Sequence, residues 1–435
     1  MQVRLDYGRH GRTVQIPDSI DATILEPRKG TPLADPQKAI AAALASPIGT
    51  APLAEIAQGR RNAAIVISDK TRPIPYATVL PPILAALESA GLSRDRIELL
   101  VATGLHRENT QAELIEMVGA EIAAGYRIRN HVARDAAAHT HVGCTEFGTE
   151  IWIDTGFLQT DLKIITGLIE PHLMAGYSGG RKAVVPGLAG VETMRSLHGP
   201  HILEARVGPG ILDDNTFHQE LLGIVRRVGV DFMVDVTIDR GRRVTGVFAG
   251  HTEQAHAAGT AFVEPHVHAS IDAPADVVLI SAGGYPLDGT FYQSIKGLTA
   301  ALNIVRRGGT IVLLAEISEG IGSHEFVDLL STLRSHEEVM ARLTSPGFFR
   351  IDQWMVQHLC QVLRKAEVVL VTDRPQPGLR DLPITVSTDF DQALMAALTR
   401  SGDSPRLAIV PQGPYVLATV GGRKLALGQA WRDAA

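Results

Sequence analysis

Cysteine is nearly missing: Cys144 and Cys360 stand alone in 435 residues, far apart and with no CxxC or Cys–His zinc spacing. This excludes a disulfide framework and a thiolate metal cage, and leaves two free thiols expected in the interior of a protein from a reducing compartment. Long apolar runs are missing too. No window approaches the ~18 apolar residues of a spanning helix, and Met1-Gln2-Val3-Arg4-Leu5-Asp6 lacks the apolar stretch of a signal peptide, so the expected address is the cytoplasm, with no membrane partner. Charge of one sign is scarce, with a formal net charge of −6 and no Lys/Arg run, which argues against nucleic acid as a partner. Neither GxxxxGK[ST] nor GxGxxG occurs, so an ordinary P-loop NTPase or NAD-dependent dehydrogenase is disfavoured.

What is present is an ordinary globular composition, 45% apolar and 20% charged, with 42 Gly, 24 Pro and 16 His. The length allows two cores. A hairpin is expected over residues 2–16, followed by alternating helices and short apolar runs: helices at 35–45, 77–90 and 215–228, strands at 62–68, 97–102, 162–166 and 232–238. A helix near 252–264 is expected to stop at Pro265, and Asp272-Ala273-Pro274-Ala275 reads as a linker. Strands at 277–281, 310–314, 368–372 and 407–410 form a second series. The expected architecture is therefore α/β, two domains (1–270 and 276–435) with mostly parallel sheets and the active site in the cleft between them.

In such sheets ligands sit beyond the carboxyl ends of strands. After Ser68 come Asp69-Lys70-Thr71-Arg72-Pro73, where Arg72 offers a fork for a carboxylate. After Ala102 come Thr103-Gly104-Leu105-His106-Arg107, with His106 suited to proton transfer near neutrality. The strand at 162–166 leads into Glu170-Pro171-His172 and Ala175-Gly176-Tyr177-Ser178-Gly179-Gly180-Arg181-Lys182, a turn whose backbone N–H groups can cradle a phosphate and whose Lys182 offers either a cation or a covalent attachment point. His198 ends a short helix, and imidazole suits nickel, zinc, copper or iron. In the second half Gln293 and Lys296 lie three apart, on one face of a helix, and Trp354 is a stacking platform. Each residue also has a plain structural explanation: a turn pair for Arg72, a capping or solvated ring for His106, a helix-end imidazole for His198 and packing for Trp354. The pairs His139/His141 and His266/His268 have no third ligand nearby in sequence and read as surface or turn histidines.

Together these segments, with Tyr292-Gln293-Ser294-Ile295-Lys296 and Asp352-Gln353-Trp354, resemble the lactate racemase family, whose enzymes use a nickel-pincer nucleotide, a pyridinium-3-thioamide-5-thiocarboxylate mononucleotide. The resemblance implies His198 as the nickel ligand, Lys182 as the site of thioamide attachment, and His106 and His172 as the two catalytic bases. It further implies Arg72, Tyr292 and Lys296 at the substrate, and Asp69, Ser178, Gly179, Gly180, Gln293 and Trp354 at the cofactor. The implied reaction inverts C2 of a small 2-hydroxy acid by reversible hydride transfer, with cofactor-synthesis proteins as partners. Malate is an alternative substrate if Lys70, Arg107 or Arg181 meets its second carboxylate, and a sugar acid is another. A cofactor carrier without turnover is the reading outside enzymes. Thr216 stands where the family is expected to have proline, a change at a helix start.

Overall fold

Ala63–Ser68 and Ala275–Ser281 bury both faces, as strands do in a parallel sheet covered on each side. The computed structural model describes residues 1–28, 30–199, 206–345 and 347–426, and builds two six-stranded sheets among them. The first runs in the order Val244–Gly250, Phe232–Ile238, Leu162–Leu168, Ala63–Ser68, Ile97–Ala102 and Arg127–Asn130, parallel except for its first pair. The second, Thr385–Ser387, Ala366–Val371, Val305–Leu314, Ala275–Ser281, Arg406–Val410 and Asp21–Ile24, is parallel throughout. The α/β class with mostly parallel sheets is the one expected.

Side chains alternate between faces at period two. Ala64 and Val66 join a core that continues into the second sheet at Val278, Ile280 and Leu313. Ile65 and Ile67 face the other way, onto helices Pro36–Ala45 and Tyr76–Ser89. Leu279 is fully buried, in a core that includes Val3 and Leu5 of the N-terminal hairpin. Leu279→Ala is expected to cost about 2–5 kcal/mol, read as a lower denaturation midpoint; an unchanged midpoint would mean that the site collapses without loss.

Several details differ from expectation. The hairpin Gln2–Leu5/Arg12–Gln15 forms, but it packs on the second sheet, and Asp21–Ile24 is that sheet's edge strand. We propose the division near 270–276 for the rest of the chain, with the first 25 residues counted with the second half. Helix Thr252–Val267 passes through Pro265, because a proline in a last turn forfeits a single N–H bond. Strand His268–Ile271 follows at once, paired with Leu417–Val420, so the linker is only a three-residue turn. Cys360 is buried as expected, whereas Cys144 is exposed at the end of a hairpin strand. Among the described residues no helix is long and apolar enough to cross a membrane.

Candidate active site

Parallel strands deliver their carboxyl ends to one edge, and there the turns after Ser68, Ala102 and Leu168 meet helices Phe291–Ala301 and Gln353–Lys365 of the second half. They enclose a chamber of about 140 Å³. Every residue that the resemblance places at the reaction, the nickel, the substrate or the cofactor lines it except Gly180.

His106 leaves the sheet through Gly104, whose φ of 54° suits glycine. Its Nδ1 lies 2.7 Å from Asp69 Oδ2, while Thr71 Oγ1 donates to Asp69 Oδ1 at 2.6 Å. Burial pushes the Asp69 carboxyl up, but His106, the Thr71 hydroxyl and Arg72 outweigh it and hold it below the usual range. An ionised Asp69 holds a proton on His106 Nδ1, and in the neutral ring Nε2 then presents a lone pair to Gln293 Nε2, 3.1 Å away. His172 is arranged the other way. Its Nδ1 accepts from the backbone N–H groups of Met174 and Ala175 at 3.2 and 3.1 Å, which assigns the proton to Nε2. Burial, then Lys182, Lys296 and Arg72, hold its pKa well below the ordinary value, so the ring is neutral. One imidazole therefore offers an acceptor to the chamber and the other a donor.

Three cations line the same space: Arg72, Lys182 and Lys296. Burial and the neighbouring arginines push Lys182 well below its ordinary value, and burial and Arg72 bring Lys296 down to about 7. An arriving anion relieves this mutual repulsion. Tyr292 accepts a hydrogen bond from Trp354 Nε1 at 3.0 Å, and the Trp354 ring lies 4.1 Å from His198, centre to centre. His198 donates Nδ1–H to the Met194 carbonyl at 3.0 Å, and burial takes its pKa down to about 3. Its Nε2 therefore carries a lone pair at any physiological pH.

The glycine turn is held from beneath by a residue the sequence did not single out. Asp235 Oδ2 accepts from Gly180 N at 2.7 Å, so this N–H is not free for a phosphate. Ser178 Oγ is likewise engaged, donating to the Leu168 carbonyl at 2.6 Å and accepting from Glu170 N at 3.1 Å. A Cβ on Gly167 would stand 2.6 Å from Asp235 Oδ1, so the carboxylate fits only against glycine. A lone acid in the apolar run Phe232–Ile238 was the signal for it. Burial raises Asp235 to about 7, with the Gly180 N–H and Arg181 offsetting part of the rise. Since this exceeds the ~3.9 of an unfolded Asp, the associated stability is present at acid pH and lost as pH rises toward about 7. Asp235→Asn is expected to flatten the fall in melting temperature between about pH 5 and 7; a slope equal to the parent's would acquit Asp235.

The cations considered for a second substrate carboxylate are committed elsewhere. Lys70 pairs with Glu113 at 2.8 Å and with Glu319 of the second half at 2.7 Å, and Arg107 pairs with Glu113 at 2.6 Å. Arg181, 1% exposed, bonds His256 and the carbonyls of Ala175 and Tyr177. The His-x-His pairs hold no shared ligand: His141 pairs with Glu150, His268 with Thr419, and His139 and His266 with backbone carbonyls. His139 is buried, not a surface residue.

Comparison with known proteins places this α/β chain, with its two imidazoles and its cation-lined chamber, in the racemase class of isomerases. Residues 7–208 match the lactate racemase N-terminal domain and residues 271–418 the lactate racemase C-terminal domain. The chain is 31% identical over 422 residues to lactate racemase from Thermoanaerobacterium thermosaccharolyticum, covering 95% of this chain and 98% of that protein. It is 33% identical over 423 residues to lactate racemase from Lactiplantibacillus plantarum, covering 95% and 99%. The solved lactate racemase apoprotein from T. thermosaccharolyticum superposes with a TM-score of 0.88 over 96% of this chain and all of that one, at 31% identity. The chain belongs to the lactate racemase family.

Proposed function

We propose that the protein racemises a small, lactate-like 2-hydroxy acid at C2, with His106 and His172 as acid and base and with Arg72, Tyr292 and Lys296 on the substrate. The observation that carries this reading is the pair of imidazoles, one presenting a lone pair and one an N–H to the same chamber. A cofactor carrier without turnover has no use for both. Malate finds no spare cation in Lys70, Arg107 or Arg181, so a monocarboxylate is favoured.

The nickel-pincer nucleotide implied by the family fits the residues present. His198 offers a neutral Nε2 and has its other ring nitrogen oriented by a carbonyl, as metal-bound imidazoles do. Among the described residues no group of three or more His, Cys, Asp or Glu side chains is set to hold a metal alone, so nickel at His198 needs ligands brought by the nucleotide. Lys182, whose pKa burial pushes well below its ordinary value, is suited to covalent attachment, and Asp69, Ser178, Gly179, Gln293 and Trp354 would form the nucleotide's surroundings. When bound, the nucleotide supplies the acceptor for the C2 hydrogen as hydride. The chain's own part is to hold the substrate carboxylate at Arg72 and Lys296 and to move the hydroxyl proton at His106 Nε2 and His172 Nε2.

The test is a chiral assay of lactate, malate, 2-hydroxyglutarate, phenyllactate and gluconate with holoprotein made alongside the cofactor-synthesis proteins. Racemisation of lactate, with malate inert, is expected; no inversion of any 2-hydroxy acid would overturn the reading. His198→Ala is expected to lose most of its nickel on gel filtration, measured by elemental analysis. Full occupancy in that variant would remove His198 as a ligand.

A further inference from the structure

Glu170 has no role in the assignments above, yet it is an unspent carboxylate beside a cation of the chamber, Arg72. It follows strand Leu162–Leu168, two residues before His172. Oε1 lies 3.6 Å from Arg72 Nε, while Oε2 is buried without a hydrogen-bond partner. The other acid near the cations, Asp69, is taken by His106 and Thr71. Glu170 lines not the chamber but a smaller cavity, about 30 Å³, which shares Arg72, His172, Leu173 and Lys296 with it.

The way Arg72 is held matters. Its terminal nitrogen NH1 makes only long contacts, 3.4 and 3.5 Å, to Thr71, so the fork is not consumed by the protein. A guanidinium ion-paired along its Nε edge keeps both terminal nitrogens for a planar two-point contact with a carboxylate. We propose that Glu170 is a positioning residue of the substrate clamp, holding Arg72 by its Nε edge and supplying the counter-charge for Lys296. This rests on the reading of Arg72 and Lys296 as the carboxylate site.

The groups facing Lys296 are Arg72 and Asp69 from the turn after Ser68, Glu170 and His172 from the turn after Leu168, Lys182 from the glycine turn and Tyr415 from the turn 413–415. Burial pushes the Glu170 carboxyl above its ordinary range, against the pull of Arg72, Lys296 and Lys182; in its ionised form Glu170, with Asp69, favours the charged form of Lys296, and Arg72 opposes it. Removing the Glu170 charge therefore lets Lys296 lose its proton at lower pH, and releases Arg72 to swing.

The experiment compares parent holoenzyme with Glu170→Gln and Glu170→Asp, using lactate as the probe between about pH 6 and 9. In Glu170→Gln, KM for lactate is expected to rise about tenfold with kcat changed far less, and the alkaline rise in KM is expected to begin at lower pH. Glu170→Asp, which keeps the charge, recovers part of both. NMR titration of the Lys296 ammonium, identified by its loss in Lys296→Met, reads the same effect without turnover: its pKa falls by about one unit or more in Glu170→Gln. An unchanged Lys296 titration, an unchanged or lower KM, or a loss confined to kcat would each overturn the proposal. If parent enzyme does not racemise lactate, the functional reading fails, while the titration still decides the role of Glu170.

Discussion

Replacing either chamber histidine by alanine is expected to lower racemisation of the substrate by about 10²–10⁴-fold, the range for loss of a positioned acid or base, with nickel and nucleotide retained. The hydroxyl proton must leave before C2 can be inverted and must return afterwards, and the two rings divide these tasks. In the proposed mechanism His106, with its proton held on Nδ1 by Asp69, takes the proton at Nε2, and His172, with Nδ1 filled by two backbone donors, gives one from Nε2. Because racemisation has an equilibrium constant of one, kcat/KM for the two enantiomers must stay equal in every variant, so each substitution depresses both directions alike. Chiral chromatography started from each pure enantiomer measures this, with metal content as the control. Parent rates in either variant, or a lost cofactor accounting for the whole effect, would sink the two-base mechanism.

Asp69→Asn tests the same asymmetry from a different side. Asparagine keeps the size of Asp69 but no longer demands a proton on His106 Nδ1, so the lone pair at Nε2 is no longer guaranteed. A smaller loss than in His106→Ala follows, because the ring stays within reach of the chamber. His172 should be indifferent to this change, since backbone N–H groups set its tautomer.

What the sequence made legible, and what it hid, divides along physical lines. Buried parallel strands announce themselves as apolar runs, and the motif residues follow their ends, so much of the chamber lining is legible in the sequence. Asp21–Ile24 was not readable as a strand: its side chains are mostly exposed, and it joins the second sheet through backbone pairing with Arg406–Val410. The bond from Gly180 to Asp235 spans 55 positions, and nothing local to either residue encodes it. Glu170 sits in its motif with no role legible from sequence, because its partners are three cations brought from separate turns and from the second half. The commitment of Lys70 to Glu319 was hidden for the same reason, and it removes a cation that sequence alone left available for malate.

Lys182→Ala is expected to yield protein without bound nucleotide, even when made beside the cofactor-synthesis proteins. Two different bonds would produce that outcome, and the microenvironment of Lys182 favours one of them. A lysine that served only as a phosphate's counter-ion would need its charge, yet burial beside Arg72, Arg181 and Lys296 drives this amine toward the neutral form. A neutral amine is a nucleophile and a poor counter-ion. Lys182→Arg separates the two: arginine keeps a cation at the site but cannot form the amide-type bond. The expected result is that Lys182→Arg fails to retain the nucleotide as completely as Lys182→Ala does, while denaturing mass spectrometry of the parent shows an adduct that unfolding does not release. A parent mass equal to that of the bare chain, together with nucleotide retained by Lys182→Arg, would mean that Lys182 holds its ligand by charge alone.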